Sequence, residues 1–310
     1  MAVYFSIFLV ILSGVTGIFW LLDKYYWAPQ RQLNLADVQG KCEEPLTQEA
    51  VDKITEAPAM IDTAVQIFPV IAIITVLRSF IYEPFQIPSG SMMPTLLDGD
   101  FILVNKFNYG LRDPVMRNKF VENGLPERGD VVVFKYPLDE RIDYIKRVIG
   151  VPGDRVIYKN KTLYVKPACT EAHDACPEYT AITADFKSVG DYSDIIDGRE
   201  IGLTRYSVKT GEKNHDILVN DQIRPRVAAY FQQQGTGSNE FVVPKGQYFV
   251  MGDNRDNSLD GRFWALVPEE TLVGEAVAIW MSFDFERTED SFLPTWIPTG
   301  VRFNRIGGIE

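Results

Sequence analysis

The sequence predicts a mostly β protein that follows two N-terminal transmembrane helices. Three observations support this prediction: a charge-free apolar run at residues 3–22, a second apolar run at 63–77, and short β-rich runs from residue 83 onward. Gly and Pro turns separate the β-rich runs, as in VVVF at 131–134 and YFVM at 248–251. This texture favours a β domain over an alternating α/β domain.

The first apolar run, VYFSIFLVILSGVTGIFWLL, has 20 residues without a charge, which is about the length of a bilayer-spanning helix. A cleaved signal peptide would need a basic start and a shorter apolar core. Aromatic residues typical of a membrane interface lie instead at the end of the run and just after it: Trp20, Tyr25, Tyr26 and Trp27. We therefore predict a retained transmembrane helix at residues 1–22.

The second apolar run, TAVQIFPVIAIITVL, has only 15 residues and contains Pro69. By itself it is as compatible with a buried core helix as with a transmembrane helix. Extension to Tyr82, with the Arg78 side chain reaching the membrane interface, makes the run long enough to span. On this reasoning a second transmembrane helix is predicted at residues 63–82.

The positive charges predict the orientation of the chain. No Lys or Arg precedes the first run, and four follow it before the second: Lys24, Arg31, Lys41 and Lys53. Residues 23–62 are then a cytoplasmic loop, and the β domain is exported if the second run spans. The cysteines agree, because Cys169 and Cys176 are predicted to form a disulfide in an oxidising compartment, while Cys42 lies in the cytoplasmic loop. Two unpaired thiols are the alternative for the pair.

Composition and motifs exclude several classes of partner. The charge, 31 − 42 = −11, argues against nucleic acid. The cysteine pair fits no zinc spacing. Asp256-x-Ser258-x-Asp260-Gly261 is similar to the first half of a calcium loop, but Val267 occupies the position that needs a bidentate Glu. No metal or cofactor is predicted.

Two blocks carry candidate catalytic groups. PSGSMMPT at 88–95 is typical either of a turn cluster or of a Ser nucleophile with adjacent backbone N–H groups. In YIKRVIGVPGD at 144–154, Lys146 lies in an apolar strand-like run, where its side chain is either exposed to solvent or buried. Desolvation would lower its pKa from about 10.4 to about 8 and make it a general base. Because His173 and His215 lie in polar segments, a Lys base explains how a Ser could be activated.

A third block, GDNRDNSLDGRFW at 252–264, is dense in Asp, Asn and Arg. Such residues form networks of charge-assisted hydrogen bonds that position neighbouring groups. Ser258 in this block is a candidate to orient the Lys146 amine.

These three blocks, together with RGDVVVFKYP at 128–137 and the closing RIGG at 305–308, resemble the bacterial type I signal peptidases. The resemblance covers nearly the whole chain after residue 63. It implies a membrane-bound serine endopeptidase that removes N-terminal signal peptides from exported preproteins after small P1 and P3 residues (A-x-A type). It also implies an inner-membrane protein with its catalytic domain on the periplasmic side, in contact with phospholipid, near the protein-export machinery, and with no metal or organic cofactor.

The resemblance further implies roles for individual residues. Ser91 is the nucleophile, Lys146 the general base, Ser89 an oxyanion donor beside the Ser91 N–H, and Ser258 the group that orients Lys146. The supporting charged network comprises Arg147, Asp253, Arg255, Asp260 and Arg262. The substrate would lie as an extended strand against Gln86-Ile87-Pro88 and Asp143-Tyr144-Ile145. The P1 and P3 pockets would be lined by Phe85, Ile87, Met92, Leu96, Tyr144 and Ile145.

The fold of that family implies a catalytic β core at residues 83–154 and 245–310, interrupted by a β-rich insertion at 155–244. The chain departs from the family pattern at Gly261, where Ser is frequent, and at Ala265, where Gly is usual; both departures concern local packing. Two alternative functions stay open: a non-enzymatic membrane-anchored binding module for exported peptides, and an autoproteolytic Ser–Lys protein.

Overall fold

The computed structural model describes residues 2–42, 45–169, 176–196, 198–285, 294 and 296–309. The chain divides into two compact units. The N-terminal unit comprises Met1–Ile81 and Leu111–Val121, and the β unit comprises Tyr82–Gly110 and Glu122–Glu310. The prediction of a mostly β fold that follows two apolar N-terminal helices in the sequence is confirmed.

The N-terminal unit contains four helices: α1 (Ala2–Leu22), α2 (Ala28–Lys41), α3 (Gln48–Thr55) and α4 (Ala59–Val76). A π-helical turn at Asp23–Trp27 joins α1 to α2, so the predicted loop begins as helix. Pro29 lacks the N–H that would bond four residues back, which explains an altered turn at this position. A second π-helical turn, Leu77–Ile81, extends α4, so the second apolar helix covers 59–81 and not the predicted 63–82.

Two helical stretches, Phe5–Lys41 and Ala59–Ile81, are long and apolar enough to cross a membrane by length and composition. They pack through a hydrogen bond of 2.7 Å between the Ser13 and Thr75 hydroxyls. Large apolar side chains such as Ile11 and Ile73 remain exposed on their outer faces. An apolar surface of this kind is suited to lipid. A short hairpin, β3 (Leu111–Arg112) with β4 (Lys119–Val121), completes this unit.

A nine-stranded antiparallel sheet organises the β unit. Its main order is β1-β2-β16-β5-β6-β14-β15, with β17 and β18 paired to β16. The strands are β1 (Tyr82–Gln86), β2 (Asp100–Asn105), β5 (Val131–Tyr136), β6 (Asp139–Gly150), β14 (Gln247–Met251), β15 (Val267–Pro268), β16 (Leu272–Asp284), β17 (Gly300–Val301) and β18 (Gly307–Gly308). Consecutive residues of β5 enter different core clusters, Val131 and Val133 on one face and Val132 and Phe134 on the other. This burial on both faces explains why VVVF is continuously apolar.

The strands between residues 155 and 242 form two further sheets. The four-stranded sheet contains β7 (Arg155–Lys159), β8 (Thr162–Lys166), β9 (Thr180–Ala181) and β13 (Glu240–Val242). The three-stranded sheet contains β10 (Ala184–Ile196), β11 (Arg199–Thr210) and β12 (Lys213–Val219). Cys169 and Cys176 form the predicted disulfide, with their Cα atoms 4.8 Å apart. The division into a core and an insertion at 155–244 stays a prediction.

Short helical turns link the strands of the β unit. A 3-10 turn at Gly90–Met92 follows β1, and the four-residue helix α5 (Gly261–Trp264) follows β14. Further 3-10 turns lie at Val227–Ala229, Glu269–Thr271 and Phe303–Arg305. The turn at Gly90–Met92 and the segment that leads into α5 contribute the side chains described next.

Candidate active site

Ser91 lies on the 3-10 turn that follows β1. The turn is closed by a hydrogen bond of 3.1 Å from the Met93 N–H to the Gly90 carbonyl, and it is anchored by Met92, whose side chain is fully buried in the core. Asn254 holds the turn from the other side. Its backbone N–H donates to the Ser91 carbonyl at 3.1 Å, and its side-chain amide donates to the Gly90 carbonyl at 3.2 Å. The nucleophile candidate is therefore fixed through its own backbone.

Lys146 lies on β6, opposite Val132 of β5. Its Nζ lies 2.8 Å from Ser91 Oγ, within hydrogen-bond distance, and donates to the Ile145 carbonyl oxygen at 2.8 Å. Only 4% of the residue is exposed. Burial lowers the pKa of Lys146 to about 8, against the opposing charges of Asp260 and Asp253. Loss of solvent disfavours the ammonium form, which is what a general base at neutral pH requires.

The residue after Lys146 anchors one buried ion pair. The Arg147 guanidinium binds the Asp253 carboxylate with Nη2–Oδ2 and Nε–Oδ1 distances of 2.8 and 3.0 Å, and both side chains are fully buried. Arg147 also donates to the Gly129 carbonyl at 2.6 Å, and the Thr95 hydroxyl donates to Asp253 at 2.6 Å. Burial acts to raise the pKa of Asp253, but the Arg147 charge and the hydrogen bonds hold it below its usual value. This pair ties the Lys strand to the third block and to the loop after Ser91.

Asp260 and Arg262 form a second buried ion pair. Arg262 Nε and Nη2 lie 2.8 Å from the two Asp260 carboxylate oxygens. Asp260 also accepts the Gly252 N–H at 3.0 Å, and Arg262 donates to the Arg255 carbonyl at 2.6 Å. Burial opposes ionisation of Asp260, yet the Arg262 charge keeps its pKa below the usual range. The five residues predicted as a charged network thus all lie in the interior around this segment, and burial lowers the pKa of Arg255.

The two further serines predicted to act in the site are Ser89, just before the Ser91 turn, and Ser258, in the third block. Ser89 is exposed and immediately precedes the turn. Ser258 is buried, and a Cβ placed on Gly252 would lie 2.3 Å from its Oγ and 2.4 Å from the Ser91 carbonyl oxygen. A glycine is therefore required at 252 by close approach. The bonds of Lys146 Nζ go to Ser91 and to Ile145, so the role of Ser258 in orienting Lys146 stays a prediction.

The two segments predicted to hold the substrate both lie on strand edges. β1 pairs only with β2 among the described strands. In β6, Asp143–Lys146 pair with β5, whereas the pairing with β14 begins at Arg147. The opposite edge of Asp143–Lys146 is thus left without a described strand partner. Such an edge can accept an added strand.

The residues predicted to line the P1 and P3 pockets are divided between two core clusters. Ile87, Met92 and Leu96 are almost completely buried in one cluster, and Phe85 and Ile145 are its partly exposed members. Tyr144 belongs to the other cluster, where its ring stacks on Tyr136 with centroids 4.4 Å apart. The Tyr144 ring centroid also lies 5.4 Å from Lys146 Nζ. A pocket-lining role for these six residues stays a prediction.

Three residues that sequence reasoning did not assign contact the site. Thr95 binds Asp253, and Asn254 binds the backbone of the Ser91 turn. Thr95 lies in the first block and Asn254 in the third, so their place in these blocks could have indicated a role in the site. His215 comes from β12, and its Nε2 lies 3.7 Å from Asp253 Oδ1. Burial lowers the pKa of His215 to about 3, so it is neutral at physiological pH.

The sequences of known proteins match this chain along most or all of its length. A family model described as signal peptidase, peptidase S26 matches residues 60–281. Signal peptidase I of Buchnera aphidicola subsp. Acyrthosiphon pisum is 40% identical over 100% of both chains, and that of Pseudomonas fluorescens is 39% identical over 100% of both. A crystal structure of a signal peptidase I from Enterococcus faecalis matches 49% of this chain and 96% of that chain, with 21% identity and a TM-score of 0.26.

Proposed function

Because the chain belongs to the S26 family of signal peptidases and is therefore a serine protease that removes signal peptides, we propose that Ser91 and Lys146 perform the cleavage. The observation that carries this assignment is the distance of 2.8 Å between Lys146 Nζ and Ser91 Oγ, at a lysine that is almost fully buried. The nucleophile and its base are thus already within hydrogen-bond reach.

The reaction begins when neutral Lys146 accepts the Ser91 proton while Ser91 Oγ attacks the carbonyl carbon of the P1 residue, which forms the cleaved bond. The negative charge on the tetrahedral intermediate is stabilised by the Ser91 N–H and the Ser89 hydroxyl, and one such donor contributes about 3 kcal/mol. Lys146 then gives its proton to the leaving amine, and the mature protein departs. Water that Lys146 deprotonates attacks the acyl-enzyme and releases the signal peptide.

The two buried ion pairs hold these groups in place. Arg147–Asp253 fixes the end of β6 that carries Lys146, and Asp260–Arg262 fixes the segment that carries Ser258. Because each pair is buried and bidentate, it resists rearrangement better than an exposed pair would. We assign these residues a positioning role, and Ser258 the role of orienting the Lys146 amine.

The substrate is a signal-peptide-bearing preprotein, and we propose that it binds as an extended strand along Asp143–Ile145 and Gln86–Pro88. The edges of β1 and β6 that have no partner among the described strands support this proposal, because added backbone hydrogen bonds would satisfy them. The partly exposed Phe85 and Ile145 side chains would contact the small P1 and P3 residues.

The apolar helices and the family indicate a membrane-anchored protein. We further propose that the membrane is the bacterial inner membrane and that the β unit lies on its periplasmic side, near the export machinery. The basic residues between the two apolar helices support this orientation by the positive-inside rule. The Cys169–Cys176 disulfide supports it too, because disulfides persist in oxidising compartments.

Two single substitutions test the proposed dyad. Purified Ser91→Ala and Lys146→Met, each in detergent, are expected to lose at least about a thousandfold in preprotein cleavage, as expected for removal of a nucleophile or its base. Ser238→Ala in an exposed turn before β13 and Lys209→Met on an exposed part of β11 are the matched controls and should cleave normally. Cleavage by Ser91→Ala or Lys146→Met at the control rate would overturn the assignment.

The two alternative functions are not supported by the comparisons. Relatives that match the whole chain are named signal peptidase I, which is an enzyme and not a binding module. Those names likewise give no support to an autoproteolytic protein.

A further inference from the structure

The three-stranded sheet of β10, β11 and β12 is hydrogen-bonded to the third block. Leu218 at the end of β12 accepts the Arg255 N–H and donates to the Asp253 carbonyl, both at 2.9 Å. The next-but-one residue, Asn220, donates its N–H to the Asp256 carboxylate at 2.9 Å. This sheet is therefore held in a fixed position beside the segment that carries the two ion pairs.

The hairpin formed by β10 and β11 is longer than β12. Pairing of β11 with β12 ends at Thr204–Val219, whereas pairing of β10 with β11 continues to Ile196–Arg199. The residues beyond Thr204, which we call the projecting end (Ser193–Ile196 and Arg199–Gly202), extend past the sheet. Because Leu218, the residue before Val219, bonds to the third block, the projecting end begins beside that block.

A direct contact shows where the projecting end lies. The Asp194 carboxylate accepts a hydrogen bond of 3.1 Å from the Asn257 side chain. Asn257 in turn donates its N–H to the Asn254 carbonyl at 3.2 Å, and Asn254 binds the Ser91 carbonyl at 3.1 Å. Asp194 is thus separated from the Ser91 turn by two residues, on the rim of the site.

The geometry of β6 indicates which part of a substrate would pass this rim. A peptide added along Asp143–Ile145 occupies the edge that β14 occupies from Arg147 onward. In a peptide that runs parallel to β6, residues after the cleaved bond cannot continue in line, because β14 pairs with β6 from Arg147 onward. The segment after Met251 is the third block, whose Asn257 donates to Asp194 of the projecting end, so a peptide that leaves the β6 edge over this block meets the projecting end.

The side chains of the projecting end are suited to such a contact. Ile195 is 80% exposed, and Leu259 of the third block is also exposed, so apolar surface is available at this rim. Asp194 is half-buried and supplies a carboxylate. Partial burial raises the pKa of Asp194, and an approaching cation would counteract this effect.

We propose that the projecting end binds the first mature residues of the preprotein, and that Asp194 gives the enzyme a preference for a basic over an acidic residue at these positions. This inference rests on the proposed function, since it needs Ser91 to define the cleaved bond. Asp194 acts as a specificity residue: it contacts substrate beyond that bond and takes no part in the proton transfers.

The test compares peptides that are identical up to the cleaved bond and carry either Lys or Glu among the first three mature residues. With the full chain in detergent, the Lys to Glu ratio of kcat/KM should fall about fivefold in Asp194→Asn, the size expected of one partly exposed ion pair. Asp194→Lys should reverse the preference. Glu212→Gln removes the same charge from the exposed turn between β11 and β12, and it should leave the ratio unchanged.

An equal loss of kcat/KM for both peptides in Asp194→Asn would assign Asp194 a structural role and overturn the inference. An unchanged ratio would overturn it as well. Ser91→Ala is included with the same peptides, so that failure of the proposed function is distinguishable: cleavage by that variant refutes the dyad, whereas an inactive Ser91→Ala with an unchanged ratio refutes the specificity role alone.

Discussion

Cleavage should depend on pH through the protonation of Lys146. Burial lowers the pKa of this residue to about 8, and only its neutral form can accept the Ser91 proton. A base of that pKa is neutral in about half of the molecules at pH 8 and in about one in a hundred at pH 6. The expected loss of kcat/KM between pH 8 and pH 6 is therefore about fiftyfold, or about tenfold for each pH unit at the acidic end.

Three titratable groups near Lys146 do not change their charge between pH 6 and 8. The pKa of His215 lies near 3, and those of Asp253 and Asp260 are held below their usual values. All three groups therefore keep one charge state between pH 6 and 8. The fall in rate in this range is expected to belong to Lys146.

The assay measures the initial rate of cleavage of a preprotein-derived peptide without titratable groups, between pH 5.5 and 9 in detergent. Lys209→Met is the control and should show the same profile, because Lys209 is exposed on β11 and lies outside the site. A rate that is constant from pH 6 to 8 would refute the reasoning. So would a rate that still rises about tenfold from pH 8 to pH 9, as expected for a lysine with its ordinary pKa of 10.5, because burial would then have no effect on the base.

Three further predictions concern stability. Between pH 8 and 10.5 the unfolded chain binds more protons at Lys146 than the folded chain does, so Lys146 destabilises the fold below pH 8. Lys146→Met should therefore raise the free energy of unfolding at pH 7 by up to about 3 kcal/mol. Denaturant titrations should show that this gain disappears by pH 10.5. Arg147→Met leaves the buried Asp253 carboxylate without its main partner and should cost about 3–5 kcal/mol in the same titrations; a loss below about 1 kcal/mol would contradict the buried pair. Ala265 has φ = 87°, so Ala265→Gly should gain about 1 kcal/mol with unchanged cleavage, and a lower melting temperature would argue against strain at this position.

The candidate groups of the site could be named from the sequence because they lie in compact blocks. Ser91 stands in a Ser–Gly–Ser turn, and Lys146 stands in an apolar strand-like run in which a charge is unusual. The shortage of His then favoured Lys as the base. These are local properties of residue type and order, and they need no knowledge of the fold.

Other features could not be predicted because they depend on packing. The first helix continues to Lys41, since the π-helical turn at Asp23–Trp27 accommodates Pro29 without ending the helix. The burial of Met92 and Leu96 in the core could not be predicted either, and their role in lining a substrate pocket stays a prediction. Apolar residues have the same appearance in a sequence whether they line a pocket or fill a core, and only the register of the surrounding strands distinguishes the two.

Two apolar helices, a β-rich domain, a disulfide and the candidate Ser and Lys could be predicted from residue order, because hydrophobic length, alternation and residue chemistry are local. Two contacts depend on the folded chain: Lys146 Nζ lies 2.8 Å from Ser91 Oγ across 55 residues of chain, and the hairpin of β10 and β11 reaches Asn257. Both contacts join segments that are distant in sequence. Their distances are set by strand order and register in the folded sheets, and the pKa of Lys146 follows from the burial that this packing produces.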